Sequence, residues 1–291
     1  DHQANDERVK QAIGRIKESY PSQVFTVDAP TEMVPWFRQV QQQCGIVPYM
    51  KIDAPSPYVS QIRHQTEDKD IYFITNCNPE DKVRIKATFA ANGKTPWLWN
   101  PETGERTPYP VSADSTLLID LGPADSKLIV FEEIKVAKLS IPAVPLQSSS
   151  PKELSGWSVR MAHINGESTK RELDTLVDFS ASPETQSFAG NLYYEKMVND
   201  AAGFYYLDLG KVYGVSEVSV NGENLGSKWY GNRVYQLPEH LAKAPVKSIQ
   251  VKITTTVGNY LKASPENKIG QAWTHYQKWA PTGMLGPVKL M

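Results

Sequence analysis

The stretch FYYLDLGKVYGVSEVSVNGENLG, residues 204–226, decides the fold of the C-terminal half of the chain. Phe204–Leu209 and Val215–Val220 are rich in β-branched and aromatic side chains, a composition typical of strands. Asn221-Gly222 supplies the positive φ angles that a type I′ turn requires, and Leu225-Gly226 begins a return strand. The stretch therefore predicts antiparallel strands joined by a tight hairpin.

Short strands continue on both sides of this hairpin, separated by turn residues. The clearest further candidates are Trp157–Ala162, Gly190–Met197, Val234–Leu237 and Ser248–Thr254. Roughly eight strands, with loops concentrated toward the C-terminal end, are enough for a jelly roll. We therefore predict a jelly-roll β-sandwich over residues 152–291.

A second series of strands precedes the jelly roll. Its members are Asp70–Asn76, Lys82–Phe89, Trp97–Asn100, Ser115–Leu121 and Lys127–Glu132, with Pro- and Gly-containing turns between them. Such spacing predicts an antiparallel β-sandwich over residues 53–136. The following AKLSIPAVPLQSSSP, residues 137–151, is predicted to be a linker, because its prolines and serines cannot build a packed element.

Residues 1–52 have a different pattern. Val9, Ile13 and Ile16 recur at the spacing of an amphipathic helix, Gln23–Val27 has the composition of a strand, and Glu32–Gln43 has the pattern of a second helix. Helix, strand and helix form a piece of an α/β layer with too few strands to close a sheet. We expect residues 1–52 to be the α/β tail of a domain whose beginning lies upstream. The predicted fold class is thus mainly β: this small α/β segment, an antiparallel sandwich and a jelly roll.

Composition excludes several classes of protein. The formal net charge is −1, whereas a nucleic-acid binder needs a clustered basic surface, and no stretch approaches the roughly 20 apolar residues that span a bilayer. We therefore expect neither nucleic acid nor membrane as a partner. The histidines do not have zinc-ligand spacing, so neither a metal nor another cofactor is expected. Cys44 and Cys77 are expected to be buried free thiols, with a disulfide between them as the alternative.

The usual catalytic patterns are missing from the sequence. It contains no Gly-x-Ser-x-Gly elbow and no Gly-rich phosphate loop. Glycoside hydrolysis needs two carboxylates across a cleft, but we expect Glu132-Glu133 and Asp208 to be solvated or to cap turns. No residue is therefore assigned a catalytic role.

Two aromatic segments are the candidates for ligand binding. Flat rings stack on sugar faces, and Arg and His donate hydrogen bonds to hydroxyl groups. The predicted sugar-facing edge combines two loops of the jelly roll: Trp229, Tyr230 and Arg233 from the first, and Trp273, His275 and Tyr276 from the second. The alternative is that these rings plug one end of the sandwich or pack against another domain.

Two parts of the sequence resemble known glycoside hydrolases. The hairpin Val218–Gly222, with Leu207–Gly210 before it and the closing Gly283–Val288 after it, is similar to the galactose-binding-like jelly roll of the sugar-binding domain in family 2. Residues 62–76 and 99–104 resemble the β-sandwich that follows the catalytic barrel in large bacterial α-L-rhamnosidases, glycoside hydrolase family 106.

The resemblance implies that the chain is the C-terminal region of a rhamnosidase-like enzyme of the periplasm or extracellular space. The catalytic carboxylates of that family lie in the barrel, which we expect upstream of Asp1. The implied partners are an oligosaccharide or polysaccharide and the catalytic domain of the same parent chain. Two alternatives remain open, a purely structural module that packs on the catalytic domain and a complete glycoside hydrolase.

Overall fold

The computed structural model describes residues 2–54, 56–91, 93–112, 115–133 and 150–291. The chain divides into two compact units. The first comprises Asp1–Lys51 with Thr88–Asn92, and the second comprises Ile52–Ala87 with Gly93–Met291. The predicted linker, residues 137–151, lies outside the described residues except for its last two positions.

The first unit is helical. Helix α1 spans His2–Ser19, helix α2 spans Met33–Gln43, and strand β1 begins at Met50 and ends at Ile52. The strand predicted at Gln23–Val27 is wrong, because this segment pairs with no strand. Its neighbourhood is instead tied to the two helices: Lys17 donates to the Thr26 hydroxyl, and the Trp36 indole donates to the Asp28 carbonyl. The α/β segment is therefore formed as helices joined by an extended connection.

The first β-sandwich contains several strands in which more and less buried side chains alternate. Its strands are β2 (Val59–Gln65), β3 (Lys69–Asn76), β4 (Val83–Phe89), β5 (Thr95–Trp99), β6 (Arg106–Pro108), β7 (Leu117–Leu121) and β8 (Ser126–Glu132). One sheet has the order β2-β3-β8-β5-β6, and β4 pairs with β7 in another, all antiparallel. Buried Tyr72, Ile74, Ile119 and Ile129 lie on the inward faces.

The jelly roll has two larger sheets, and several of its strands show the same alternation of burial. Its elements are β9 (Lys152–Leu154), β10 (Trp157–His163), β11 (Ser168–Leu173), a 3-10 turn (Phe179–Ala181), β12 (Gly190–Val198), β13 (Tyr206–Asp208), β14 (Lys211–Tyr213), β15 (Val215–Val220), β16 (Glu223–Lys228), β17 (Val234–Gln236), α3 (Glu239–Lys243), β18 (Lys247–Thr254), α4 (Gly258–Ala263), α5 (Lys268–Thr274), β19 (Gly283–Gly286) and β20 (Val288–Leu290). A six-stranded sheet, β11-β10-β12-β18-β15-β16, and a four-stranded sheet, β17-β13-β20-β9, supply one continuous core. The mainly β fold class is confirmed.

The predicted hairpin between β15 and β16 forms. Asn221 has φ 51° and Gly222 has φ 83°, and Val220 pairs directly with Glu223. Both turn residues therefore have the positive φ of a type I′ turn, and β15 pairs with β16 through a two-residue connection.

The two sandwiches meet through backbone groups of their turns. The Gly231 N–H donates to the Pro123 carbonyl at 2.9 Å. A Cβ on Gly122 would lie 2.5 Å from the Asn232 nitrogen, so this close approach requires glycine. Asp125 accepts the Gly122 N–H at 2.8 Å and thereby holds that turn. This junction positions a cavity lined by residues of both sandwiches.

Neither cysteine is buried as expected. Both are free thiols; Cys44 is half-buried and Cys77 is exposed in the turn after β3. In the part of the chain that the structure describes, no helix combines the length and apolar character of a transmembrane span.

Candidate functional site

A cavity of about 490 Å³ lies where the two sandwiches meet. The first sandwich contributes residues 79–82 and 123–124 to its wall. The jelly roll contributes 208, 210–214, 229–233 and 286–287. Pockets for small ligands have volumes of roughly 300–1,000 Å³, so one or two sugar rings fit here.

One side of the cavity is the sharp turn between β13 and β14. The Asp208 carboxylate accepts the Gly210 N–H at 2.9 Å, so its predicted turn-capping role is confirmed. Gly210 lies against Gly286 so closely that a Cβ would come within 2.4 Å of the Gly286 carbonyl carbon. This contact fixes the turn against the closing strand of the jelly roll.

Another part of the wall is the segment that follows β16, which carries two of the predicted aromatic residues. The rings of Trp229 and Tyr230 lie 6.2 Å apart at 41°. Tyr230 donates its hydroxyl to Glu102 Oε1 at 3.1 Å, and burial together with this bond raises its pKa. Trp229 is 65% exposed, so its indole faces solvent. One ring is thus anchored while its neighbour is available to a ligand.

Arg233 is the third predicted residue in this wall, and it is buried rather than exposed. Its Nη2 donates to the Gly214 carbonyl at 3.3 Å, while Nε and Nη1 have no acceptor. Burial lowers the pKa of the guanidinium, which nevertheless stays charged at any physiological pH. The structure therefore brings Trp229, Tyr230 and Arg233 together in one cavity.

Sequence reasoning missed a polar cluster in the wall of the same cavity. Tyr213 donates its hydroxyl to Glu80, whose carboxylate also lies 3.7 Å from Lys211 Nζ. Burial, followed by the bond to Glu80, raises the pKa of Tyr213 to about 12. Glu80 belongs to the Asn78–Asp81 turn of the other sandwich. Since 133 residues separate it from Tyr213, no sequence spacing could have predicted the contact.

The second predicted aromatic group lies elsewhere. Trp273 belongs to α5 and His275 directly follows it, so the loop predicted there is wrong. Asn267 caps this helix by accepting the Gly270 N–H, and the Gln271 side chain donates to the Leu261, Lys262 and Ser264 carbonyls. Trp273, His275 and Tyr276 are exposed and form no part of the cavity wall.

A second cavity of about 420 Å³ lies on the jelly roll near the ends of β10 and β11. The His163 ring stands edge-on to the rings of Phe188 and Tyr260, 5.5 Å from each. Arg171 also lines this cavity and lies 3.6 Å from Glu184. Sequence reasoning did not single out these residues, because they come from three separate segments.

Glu132 is not solvated as expected. It is buried at the end of β8, with Lys69 Nζ at 3.9 Å and Arg106 Nη1 at 4.0 Å. Its environment is that of a structural ion pair. Within the described ranges, no group of three or more His, Cys, Asp and Glu residues could hold a metal ion.

Comparison with known proteins gives a match to one family. The α-L-rhamnosidase model of glycoside hydrolase family 106 matches residues 26–111. A curated relative, a putative β-glucuronidase of Formosa agariphila, is 29% identical over 99 residues, which cover 32% of this chain and 8% of the relative.

One solved structure has the same fold over most of the chain. A rhamnosidase from Novosphingobium sp. PP1Y superimposes with a TM-score of 0.62 at 21% identity, covering 88% of this chain and 26% of the rhamnosidase. A family 2 β-galacturonidase from Eisenbergiella tayi matches 37% of this chain and 20% of its own length, with 20% identity and a TM-score of 0.32. The chain thus spans about a quarter of the rhamnosidase and far less of the curated relative. The resemblance to α-L-rhamnosidases is confirmed.

Proposed function

We propose that this chain is an accessory, carbohydrate-binding region of a rhamnosidase-like glycoside hydrolase that acts outside the cytoplasm on plant polysaccharide. The observation that carries the proposal is the solvent-facing Trp229 beside the anchored ring of Tyr230, at a cavity large enough for sugar. An exposed indole stacks on the C–H face of a pyranose, and neighbouring polar groups then orient the hydroxyls.

The proposed ligand is an oligosaccharide containing rhamnose, in keeping with the rhamnosidase model that matches residues 26–111. Hydrolysis itself is assigned to a catalytic domain elsewhere in the parent chain. Two carboxylates of the cavity support this division, because each is already engaged: Asp208 caps its own turn, and Glu80 binds Tyr213. A hydrolase needs one carboxyl free to protonate the leaving group and another free to attack or to activate water.

A structural role is the second candidate, and a separate observation favours it. Helices α1 and α2 expose the apolar side chains Val9, Ile13, Ile16, Met33, Val34 and Phe37. Apolar stripes of this kind mark surfaces that another protein surface covers. The occupant that we propose is the catalytic domain of the same parent chain. Trp273 and Tyr276, which are equally exposed, would then contact protein instead of sugar.

Calorimetry with pectin-derived and rhamnose-containing oligosaccharides tests the binding role. We expect measurable heat at millimolar ligand, and we expect Trp229→Ala to abolish it while Trp273→Ala leaves it unchanged. If neither class of ligand produces heat, the binding role is refuted and the structural role remains.

The complete-hydrolase alternative has its own test. Turnover of an aryl-rhamnoside by this chain that is lost in both Glu80→Gln and Asp208→Asn would overturn the accessory role. We expect no turnover by the unmodified chain, because both carboxylates hold structural hydrogen bonds.

A further inference from the structure

Arg233 carries a positive charge that forms no direct ion pair in the part of the chain that the structure describes; Asp125 acts on it only as a nearby charge that raises its pKa, a smaller effect than burial. Its side chain is only 7% exposed, and no carboxylate of the described residues forms an ion pair with it. Of its three guanidinium nitrogens, Nη2 alone has a partner, the Gly214 carbonyl at 3.3 Å. The N–H groups of Nε and Nη1 are buried and find no acceptor among the described residues.

Such an arrangement is costly for a folded protein. A charge without a direct ion pair in a poorly hydrated site loses solvation free energy, and each unsatisfied N–H adds to the loss. The lowered pKa of Arg233 has the same cause. A native structure that retains such a group supplies the missing partner from an ordered water, an ion or a ligand.

The other charges of the cavity wall do not neutralise Arg233. Glu80 accepts the hydroxyl of Tyr213 and lies 3.7 Å from Lys211. Asp208 accepts an N–H of its own turn. Lys82, also in the wall, has no ion-pair partner among the residues that the structure describes. The positive charge of the guanidinium therefore makes the cavity attractive to an anion, because Glu80 and Asp208 already accept hydrogen bonds from other donors.

We propose that this cavity binds a sugar that carries a carboxylate, a uronic acid residue, with its carboxylate paired to Arg233 and its ring against Trp229. This inference rests on the proposed function, since it names the ligand class of the same site. A guanidinium is planar and presents its N–H groups in a fork that matches the two oxygens of a carboxylate. Lys82 adds a second positive charge to the attraction.

The shape of the site favours an acidic sugar over a free inorganic anion. A volume of about 490 Å³ is several times that of sulfate or phosphate, which would leave most of the cavity unfilled. The indole of Trp229 also offers a flat apolar surface for the C–H face of a pyranose, whereas an inorganic anion has no such face.

The test compares three ligands of equal length by calorimetry on the full chain at neutral pH: an oligogalacturonate, its methyl ester and its carboxyl-reduced counterpart. We expect the free acid to bind at least about tenfold more tightly than either neutral form, because charge-assisted hydrogen bonds are about twice as strong as neutral ones. In Arg233→Met this preference disappears. In Arg233→Lys it is reduced, because an ammonium keeps the charge without the fork.

Arg171→Gln is the matched control, since this arginine lines the other cavity; it should leave the preference unchanged. Arg233→Met is expected to fold, because an apolar side chain replaces an unpaired buried charge, and thermal unfolding checks this. Equal binding of acid and methyl ester, or an acid preference that survives in Arg233→Met, overturns the inference and leaves the proposed function standing. Failure of all three ligands to bind also overturns the inference, whereas the proposed function falls only if a rhamnose-containing oligosaccharide fails to bind as well.

Discussion

Lys247 offers the sharpest test of how the jelly roll is held together. It is 0% exposed at the first position of β18, and its ammonium donates to the carbonyls of Ala201, Ala242 and Ala244. The last two belong to the C-terminal end of α3, where carbonyls lack intrahelical partners. The proposed change is Lys247→Met, which keeps the apolar stem and removes the donor.

The expected loss follows from what each carbonyl retains. The Ala242 carbonyl still accepts the Gly203 N–H at 2.9 Å, and water reaches the half-buried Ala244. Ala201 is fully buried and loses its donor, at a cost of about 1–3 kcal/mol. We expect Lys247→Met to lower the free energy of unfolding by about 2 kcal/mol, since Met also avoids the desolvation of a charge. For a domain of this size the midpoint falls by about 6 °C.

Thermal and urea unfolding of the jelly roll measure this loss. Lys243→Met is the matched control, because Lys243 is exposed and pairs only with the exposed Glu239 one helical turn away. That variant should change stability by less than about 0.5 kcal/mol. Equal stability of Lys247→Met and Lys243→Met would refute the reasoning.

The pH dependence gives an independent check on Lys247. Burial lowers its pKa below 10.5, so the unfolded chain binds more protons than the folded chain between the folded pKa and 10.5. Stability therefore rises with pH across that window. The difference in unfolding free energy, wild type minus Lys247→Met, should grow as the pH is raised towards 10.5. A constant difference would contradict the lowered pKa.

Three further predictions concern the junction and the hairpin. Gly122→Ala should destabilise the chain by about 1–3 kcal/mol and weaken sugar binding, because its Cβ would lie 2.5 Å from the Asn232 nitrogen; calorimetry of unfolding and of binding measures both. Tyr213 should remain protonated at pH 11, since its pKa is raised to about 12, so Tyr213→Phe should leave the phenolate absorbance at that pH unchanged. Gly222→Val should lower the free energy of unfolding by about 1–2 kcal/mol through its φ of +83° alone, because no atom of the described residues lies within 4 Å of a new Cβ. Urea unfolding measures this loss, and a value well above it would indicate a contact that the structure does not contain.

Much of the strand architecture could be predicted from the sequence because it depends on local signals. Strands β3, β12 and β18 form within a residue or two of their predicted bounds, since β18 alternates apolar and polar side chains and β3 and β12 contain runs rich in apolar and aromatic ones. Short edge elements such as β6 and β11 were not predicted. Both are mostly exposed, so their positions depend on pairing with β5 and β10 rather than on an apolar pattern.

Two wrong predictions of secondary structure also show that local composition does not determine every element. Gln23–Val27 has the composition of a strand but has no partner strand, and backbone pairing, not composition, makes a strand. Trp273 lies in a helix because Asn267 and Gln271 cap and brace α5. Side-chain hydrogen bonds to particular carbonyls are not visible in an aromatic-rich sequence.

The hairpin between β15 and β16 was determined by the sequence itself, because Asn221 and Gly222 adopt positive φ for reasons internal to these two residues. Which side chains share a cavity was decided only by the tertiary structure. Trp229, Tyr230 and Arg233 are neighbours in the chain, so their grouping was predictable. Their meeting with Glu80, across the junction of two sandwiches, depends on the glycines that let the backbones approach. The burial of Arg233 without a direct ion pair to any described residue is likewise a property of the packing, which no local pattern records.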